Sequence, residues 1–108
     1  MLVSQDPADG SVFKQGTEFD ASWVLKNTGT GKWDKDEYDI VYVGAVDNVA
    51  LHLGPDRYDL TITVEPGWTY NLWVPMLAPH DAGKYGELWQ VSLGNQPVCQ
   101  FYVYIEVR

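Results

Sequence analysis

Ser22-Trp23-Val24-Leu25-Lys26-Asn27-Thr28-Gly29-Thr30-Gly31-Lys32-Trp33 decides the fold of this chain. Its first half continues the alternation begun at Glu18. Phe19, Ala21, Trp23 and Leu25 share one face, and Glu18, Asp20, Ser22, Val24 and Lys26 share the other. Period-two alternation is the mark of a half-buried strand. Asn27-Thr28-Gly29-Thr30-Gly31 then reads as a loop, because Asn and Gly accept backbone conformations that other residues resist. A tryptophan needs a large apolar site and a partner for its indole N–H. Two of them around one turn, in a chain of 108 residues with five in all, pose the question of core or binding face.

The same alternation recurs outward from this segment. Tyr38 to Val46 reads as a more fully apolar strand, buried on both faces. Val49 to Leu53 reads as a weak strand ended by Gly54-Pro55-Asp56. Leu60, Ile62 and Val64 alternate with Thr61 and Thr63 up to Pro66-Gly67. In Thr69 to Leu77, Tyr70, Leu72, Val74 and Met76 oppose Asn71, Trp73 and Pro75, and the proline predicts an edge position or a bulge. Tyr85 to Leu93 is a further strand, followed by a turn at Gly94-Asn95-Gln96-Pro97. Gln100 to Val107 closes the chain, with Phe101, Val103, Ile105 and Val107 on one face and Tyr102, Tyr104 and Glu106 on the other. Helical periodicity is almost absent. Seven to eight short strands with turns every eight to twelve residues predict an all-β sandwich or barrel. Asp81-Ala82-Gly83-Lys84-Tyr85 favours the immunoglobulin-like antiparallel β-sandwich, where a tyrosine so placed returns its hydroxyl to the loop backbone. Antibody domains put a disulfide cysteine two residues later, and here that position is Glu87.

Composition excludes several function classes. The length predicts one domain, residues 1–108. The net charge is −8, and the seven Lys and Arg are scattered without a basic stripe. Affinity for nucleic acid rests on neutralising phosphates, so neither nucleic acid nor an anionic membrane surface is an expected partner. No apolar run approaches the roughly 20 residues that span a bilayer. The N-terminus has neither a basic n-region nor an apolar h-region, so no signal peptide is read there. Cys99 is alone, excludes an intrachain disulfide, and reads as a buried thiol.

Gly16, Phe19, Trp23, Asn27-Thr28-Gly29 and Trp33, followed by Pro66-Gly67, Ala78-Pro79, Gly83-Lys84-Tyr85 and Trp89, form one pattern along the chain. In this pattern the chain resembles the four-tryptophan (FW) domain of the neighbour-of-BRCA-one selective-autophagy receptor. The resemblance spans about residues 10–107. Tyr102 takes the place of the fourth tryptophan, while Trp68 and Trp73 are additional to the pattern. The resemblance implies an immunoglobulin-like sandwich acting as a non-catalytic protein-interaction module, here one domain of a larger bacterial protein, extracellular or at the cell surface.

The candidate contact residues are Trp33, Tyr58, Trp68, Tyr70 and Trp73. Trp23, on the face of Phe19 and Leu25, reads as core, and so does Trp89, whose mates on its face are Glu87 and Val91; with Tyr102 in the fourth place they are the fold-defining aromatics. Trp33 sits among Gly31, Lys32, Asp34 and Asp36, so it either folds over the sheet edge or lies half exposed as a contact. Trp68 follows a Pro-Gly turn, and Trp73 lies opposite the apolar side of its strand, so these two have the best claim to exposure. Aromatic anchors are favoured determinants of protein interfaces, and Tyr58 and Tyr70 extend the patch. Stacking on a polysaccharide is the alternative reading, and a structural spacer the third.

No cofactor or metal is expected. The acidic run Asp34, Asp36, Glu37, Asp39 lacks the glycine and terminal glutamate of a calcium loop and reads as a solvated loop. His52 and His80 have no ligand at zinc spacing, and no nucleophile elbow or phosphate loop occurs.

Overall fold

The computed structural model describes all 108 residues. Eight strands follow in chain order: β1 (Leu2–Asp6), β2 (Ser11–Phe13), β3 (Glu18–Lys26), β4 (Tyr38–Ala45), β5 (Arg57–Asp59), β6 (Thr69–Leu77), β7 (Gly83–Leu93) and β8 (Gln96–Val107). A 3-10 turn at Val46–Asn48 leaves β4. The strands form two sheets, one ordered β1-β3-β6 and the other β2-β8-β7-β4-β5. Every pairing is antiparallel except β2 with β8, which is parallel. The architecture is an immunoglobulin-like β-sandwich.

The alternation read in β3, β6 and β8 places the core. Ala21, Trp23 and Leu25 of β3 and Tyr70, Leu72, Val74 and Met76 of β6 are buried against Phe101, Val103, Ile105 and Val107 of β8. Trp23 and Phe101 meet with ring centroids 4.9 Å apart, so one indole joins the two sheets. Its Nε1–H donates to the Tyr102 carbonyl at 3.1 Å, which satisfies the one polar atom of the ring. The Tyr85 hydroxyl donates to the Asp81 carbonyl at 2.7 Å, the tyrosine corner read from the sequence.

Four segments differ from the sequence reading. β4 is not buried on both faces: only Ile40 is fully inside, and the register shifts between Tyr42 and Gly44, leaving Val43 exposed. Val49 to Leu53 is not a strand of either sheet. It is a strap that crosses to the β6 edge, where Leu77 N–H donates to the Leu51 carbonyl and Leu53 N–H to the Pro75 carbonyl, both at 2.9 Å. Leu60 to Val64 is also irregular: Leu60 and Val64 are buried while Ile62 is exposed, so two anchors rather than a ladder produced its alternation. Tyr102 does not replace a core tryptophan. Its side chain is 43% exposed, because the inward places of β8 belong to Phe101 and Val103.

Candidate interaction surface

The loop after β3 fixes the tryptophans that flank it. Asn27 is buried, and every polar group on it is used. Its Nδ2 donates to the carbonyls of Gly31 and Val64, both at 2.9 Å, and its Oδ1 accepts from Gly29 N–H at 3.1 Å. Its main chain binds the next turn, with Asn27 N–H to the Trp68 carbonyl at 3.0 Å and Gly67 N–H to the Asn27 carbonyl at 2.7 Å. The Asn-Thr-Gly run is therefore a clasp between two loops. Trp33 exchanges main-chain hydrogen bonds with Val64 across this clasp, and its side chain is drawn in to 4% exposure.

The five candidate contact residues thus separate. Trp33 and Tyr70 lie in the interior, not on a contact face. Tyr70 belongs to the inward set of β6, and its hydroxyl is held by Thr61 N–H at 3.1 Å. Tyr58 is half-buried, its ring 5.8 Å from that of Trp89. Burial, and then the charge of Glu87, raises its phenol pKa above the ordinary value. Trp68 and Trp73 remain outside, 55% and 60% exposed. Trp73 stands on the outer face of the three-stranded sheet opposite Ser22, with Asn71 and Val24 as the next pair along. Trp68 sits on the turn that Glu65 closes, where Trp68 N–H donates to the Glu65 carbonyl at 3.0 Å.

A second apolar surface escaped the sequence reading. Tyr102 and Tyr104 lie side by side on the outer face of the five-stranded sheet, centroids 4.9 Å apart. Tyr104 covers Gly86, where any Cβ would collide with the ring. With Val46, Lys84 and Tyr85 it lines a groove of about 520 Å³. The alternation in β8 placed both tyrosines on that face, but their convergence depends on the missing side chain at Gly86.

The polar heart of the fold is a three-residue chain that spacing in the sequence could not reveal. Glu87 is 2% exposed. Its Oε2 accepts from Leu51 N–H at 2.6 Å, His52 N–H at 3.1 Å and His52 Nδ1 at 2.6 Å, and its Oε1 accepts from Trp89 Nε1 at 3.0 Å. The other ring nitrogen of His52 meets Asp56 Oδ1 at 2.5 Å. A carboxylate only accepts, so both ring nitrogens must donate, and His52 is held as the imidazolium. Burial opposes that charge, yet the hydrogen bonds and charges of Glu87 and Asp56 outweigh it and raise the His52 pKa above its ordinary value. The Tyr42 ring lies tilted against the imidazole, centroids 4.6 Å apart, and burial, followed by the charges of Glu87 and Asp56, raises its own pKa. With both nitrogens bound, His52 has none free to take a proton from a substrate. The group is a pin that fastens the strap to β7.

A pH dependence follows. The folded pKa of His52 lies above the unfolded one, so the folded state binds the extra proton between them. The pin contributes fully below about pH 6.5 and is lost as pH rises through the folded pKa. Urea unfolding across pH 5.5 to 9 is expected to show stability declining over the upper part of that range. His52→Asn should flatten the profile; an unchanged profile in that variant would remove His52 as its cause.

The acidic loop is likewise structural. Asp34 Oδ1 accepts from Asp36 N–H at 2.9 Å, and Asp39 pairs with Arg57 at 3.1 Å. No group of three or more His, Cys, Asp or Glu side chains is placed to hold a metal ion.

Comparison with known proteins supplies the remaining context. A search of curated protein sequences returns no match. Among solved structures, the chain is similar to SSP-19, an MSP-domain protein like family member in Caenorhabditis elegans, with a TM-score of 0.55 and 11% identity over 97% of this chain and 98% of that one. At that identity the likeness concerns the fold alone. A family model described as the Ig-like domain from next to BRCA1 gene matches residues 7–107. That span takes in both the clasp around Asn27 and the pin around Glu87, and the chain belongs to this family of Ig-like domains.

Proposed function

We propose that this chain is a non-catalytic protein-interaction module of the four-tryptophan type, working as one domain of a larger bacterial protein and engaging its partner through Trp68 and Trp73. The observation that carries this reading is the unequal treatment of the tryptophans. Three are buried to 4% exposure or less, while these two keep more than half of their surface in water. Exposed indoles beside polar neighbours have the character of interface anchors, where truncation costs roughly 2 kcal/mol or more, about 30-fold in affinity. The family match and the sandwich fold support a module that binds rather than catalyses. Neither indole is needed inside, so their removal leaves the core intact.

The test uses the immobilised chain and its Trp68→Ala/Trp73→Ala double variant. Both are exposed to lysate of the source organism and to a polysaccharide panel. Capture of a protein by the wild type, lost in the double variant at unchanged melting temperature, is the expected result. Equal capture by the variant would overturn the role of the indoles, and capture of glycan alone would replace the protein partner with a carbohydrate.

A further inference from the structure

The β6 edge is only half covered. Pro75 and Leu77 turn their main-chain groups toward the strap at Leu51 and Leu53. Hydrogen-bonding direction alternates along a strand, so Thr69, Asn71 and Trp73 point their N–H and C=O the same way, away from β3. β6 pairs with no other strand, and none of these main-chain groups has a partner within the chain. All three residues are exposed. Natural sheets blunt such edges with charge, proline, bulges or a covering loop. Here the proline and the loop protect one half only, and the sequence Thr-Tyr-Asn-Leu-Trp-Val-Pro-Met-Leu carries no charged residue.

We infer that this free half-edge pairs antiparallel with the same half-edge of a second copy of the chain. The stretch is its own complement. With Asn71 opposite Asn71 of the second copy, the two residues exchange N–H···O=C bonds. Thr69 and Trp73 then do the same with Trp73 and Thr69 of the other copy, and every free group finds a partner. The register also fits its limits, since each strand begins just after the Pro66-Gly67 turn, where the opposing edge reaches Pro75 and its strap. Charge selects this edge for self-association. At −8 per chain two copies repel, and an uncharged contact line is where they meet without opposing carboxylates. β1, by contrast, ends in Asp6, and β5 carries Arg57 and Asp59, while the uncharged β2 is only three residues long, too short to offer a comparable ladder.

The product is a continuous sheet ordered β1-β3-β6 from one copy and β6-β3-β1 from the other. Pairing uses main-chain groups, so the inference stands independently of the proposed partner. The indoles of both copies remain on one face, which would make any partner contact bivalent. The paired stretch is short, so the interface falls below the standard size and the association is expected to be weak, tightening with added salt.

Sedimentation of the full chain up to about 1 mM tests this. The wild type is expected to show a reversible monomer–dimer equilibrium. Asn71→Lys and Asn71→Asp each place like charges opposite one another across the pair. Each alone should be monomeric, and an equimolar mixture of the two should recover the dimer. Asn71→Pro removes only the outward N–H, as Pro75 already does on the same edge, and should also be monomeric while keeping the wild-type melting profile. A wild type that stays monomeric at the highest concentration overturns the inference. So does a dimer that tolerates both charged variants, or a mixture that fails to re-associate when each variant is folded.

Discussion

Glu87→Ala is expected to destabilise the fold by about 3–5 kcal/mol, the usual cost of removing one partner from a buried ion pair. At ~4 °C per kcal/mol for a domain of this size, the melting temperature should fall by roughly 12–20 °C. The argument rests on what the carboxylate leaves behind. Leu51 N–H, His52 N–H, the His52 ring and Trp89 Nε1–H all donate to it, and each would face an apolar cavity. Glu87→Gln separates charge from shape. Its carbonyl can still accept from the strap, but its NH2 meets another donor, and His52 loses its buried counter-charge. That variant should fall between wild type and Glu87→Ala and lose most of the pH dependence. Chemical denaturation of both variants checks this. A loss below about 1 kcal/mol for Glu87→Ala would show that the pin is solvated or dispensable.

Trp23→Ala is expected to have a comparable effect through a different mechanism. The ring is 1% exposed and spans the space between the sheets to Phe101. Deleting it removes apolar burial and leaves a cavity, together about 3–5 kcal/mol for an aromatic core residue. Domains of this kind have total stabilities of about 5–15 kcal/mol, so the variant should be largely unfolded under mild denaturant. Trp23→Phe keeps most of the apolar contact but leaves the Tyr102 carbonyl without its indole donor. A loss of about 1–2 kcal/mol is expected there. Near-equal stability of Trp23→Ala and wild type would contradict the placement of this ring as the tie between sheets.

The strands that bury one face against the other sheet were legible as alternation. β3, β6 and β8 show this directly, and the same alternation already set Tyr70 on the inward side of β6, which outweighs its claim as a contact residue. Trp33 was ambiguous because its burial depends on a bridge to Val64, more than thirty positions away. Segments 49–53 and 60–64 imitate strands because buried anchors recur in them, while the hydrogen bonds of the first go to the β6 edge and to Glu87, and those of the second to the loop clasp. The pin was hidden for a related reason. Its members lie on the strap, before β5 and on β7, so no local spacing joins them. The one local sign was Glu87 on the face of Trp89 and Val91, where an apolar residue belongs. Tyr102 shows the limit of motif matching, since the chain keeps an aromatic at that place but turns it outward.

The division of the five tryptophans between frame and surface is the central claim, and indole NMR tests it most directly. With a soluble nitroxide added to uniformly 15N-labelled chain, the Nε1–H signals of Trp68 and Trp73 are expected to broaden. Those of Trp23 and Trp89 should stay sharp, held at Tyr102 and Glu87, and that of Trp33 should be largely spared. Protection of Trp68 and Trp73, or broadening of Trp23 and Trp89 to the same degree, would contradict the account.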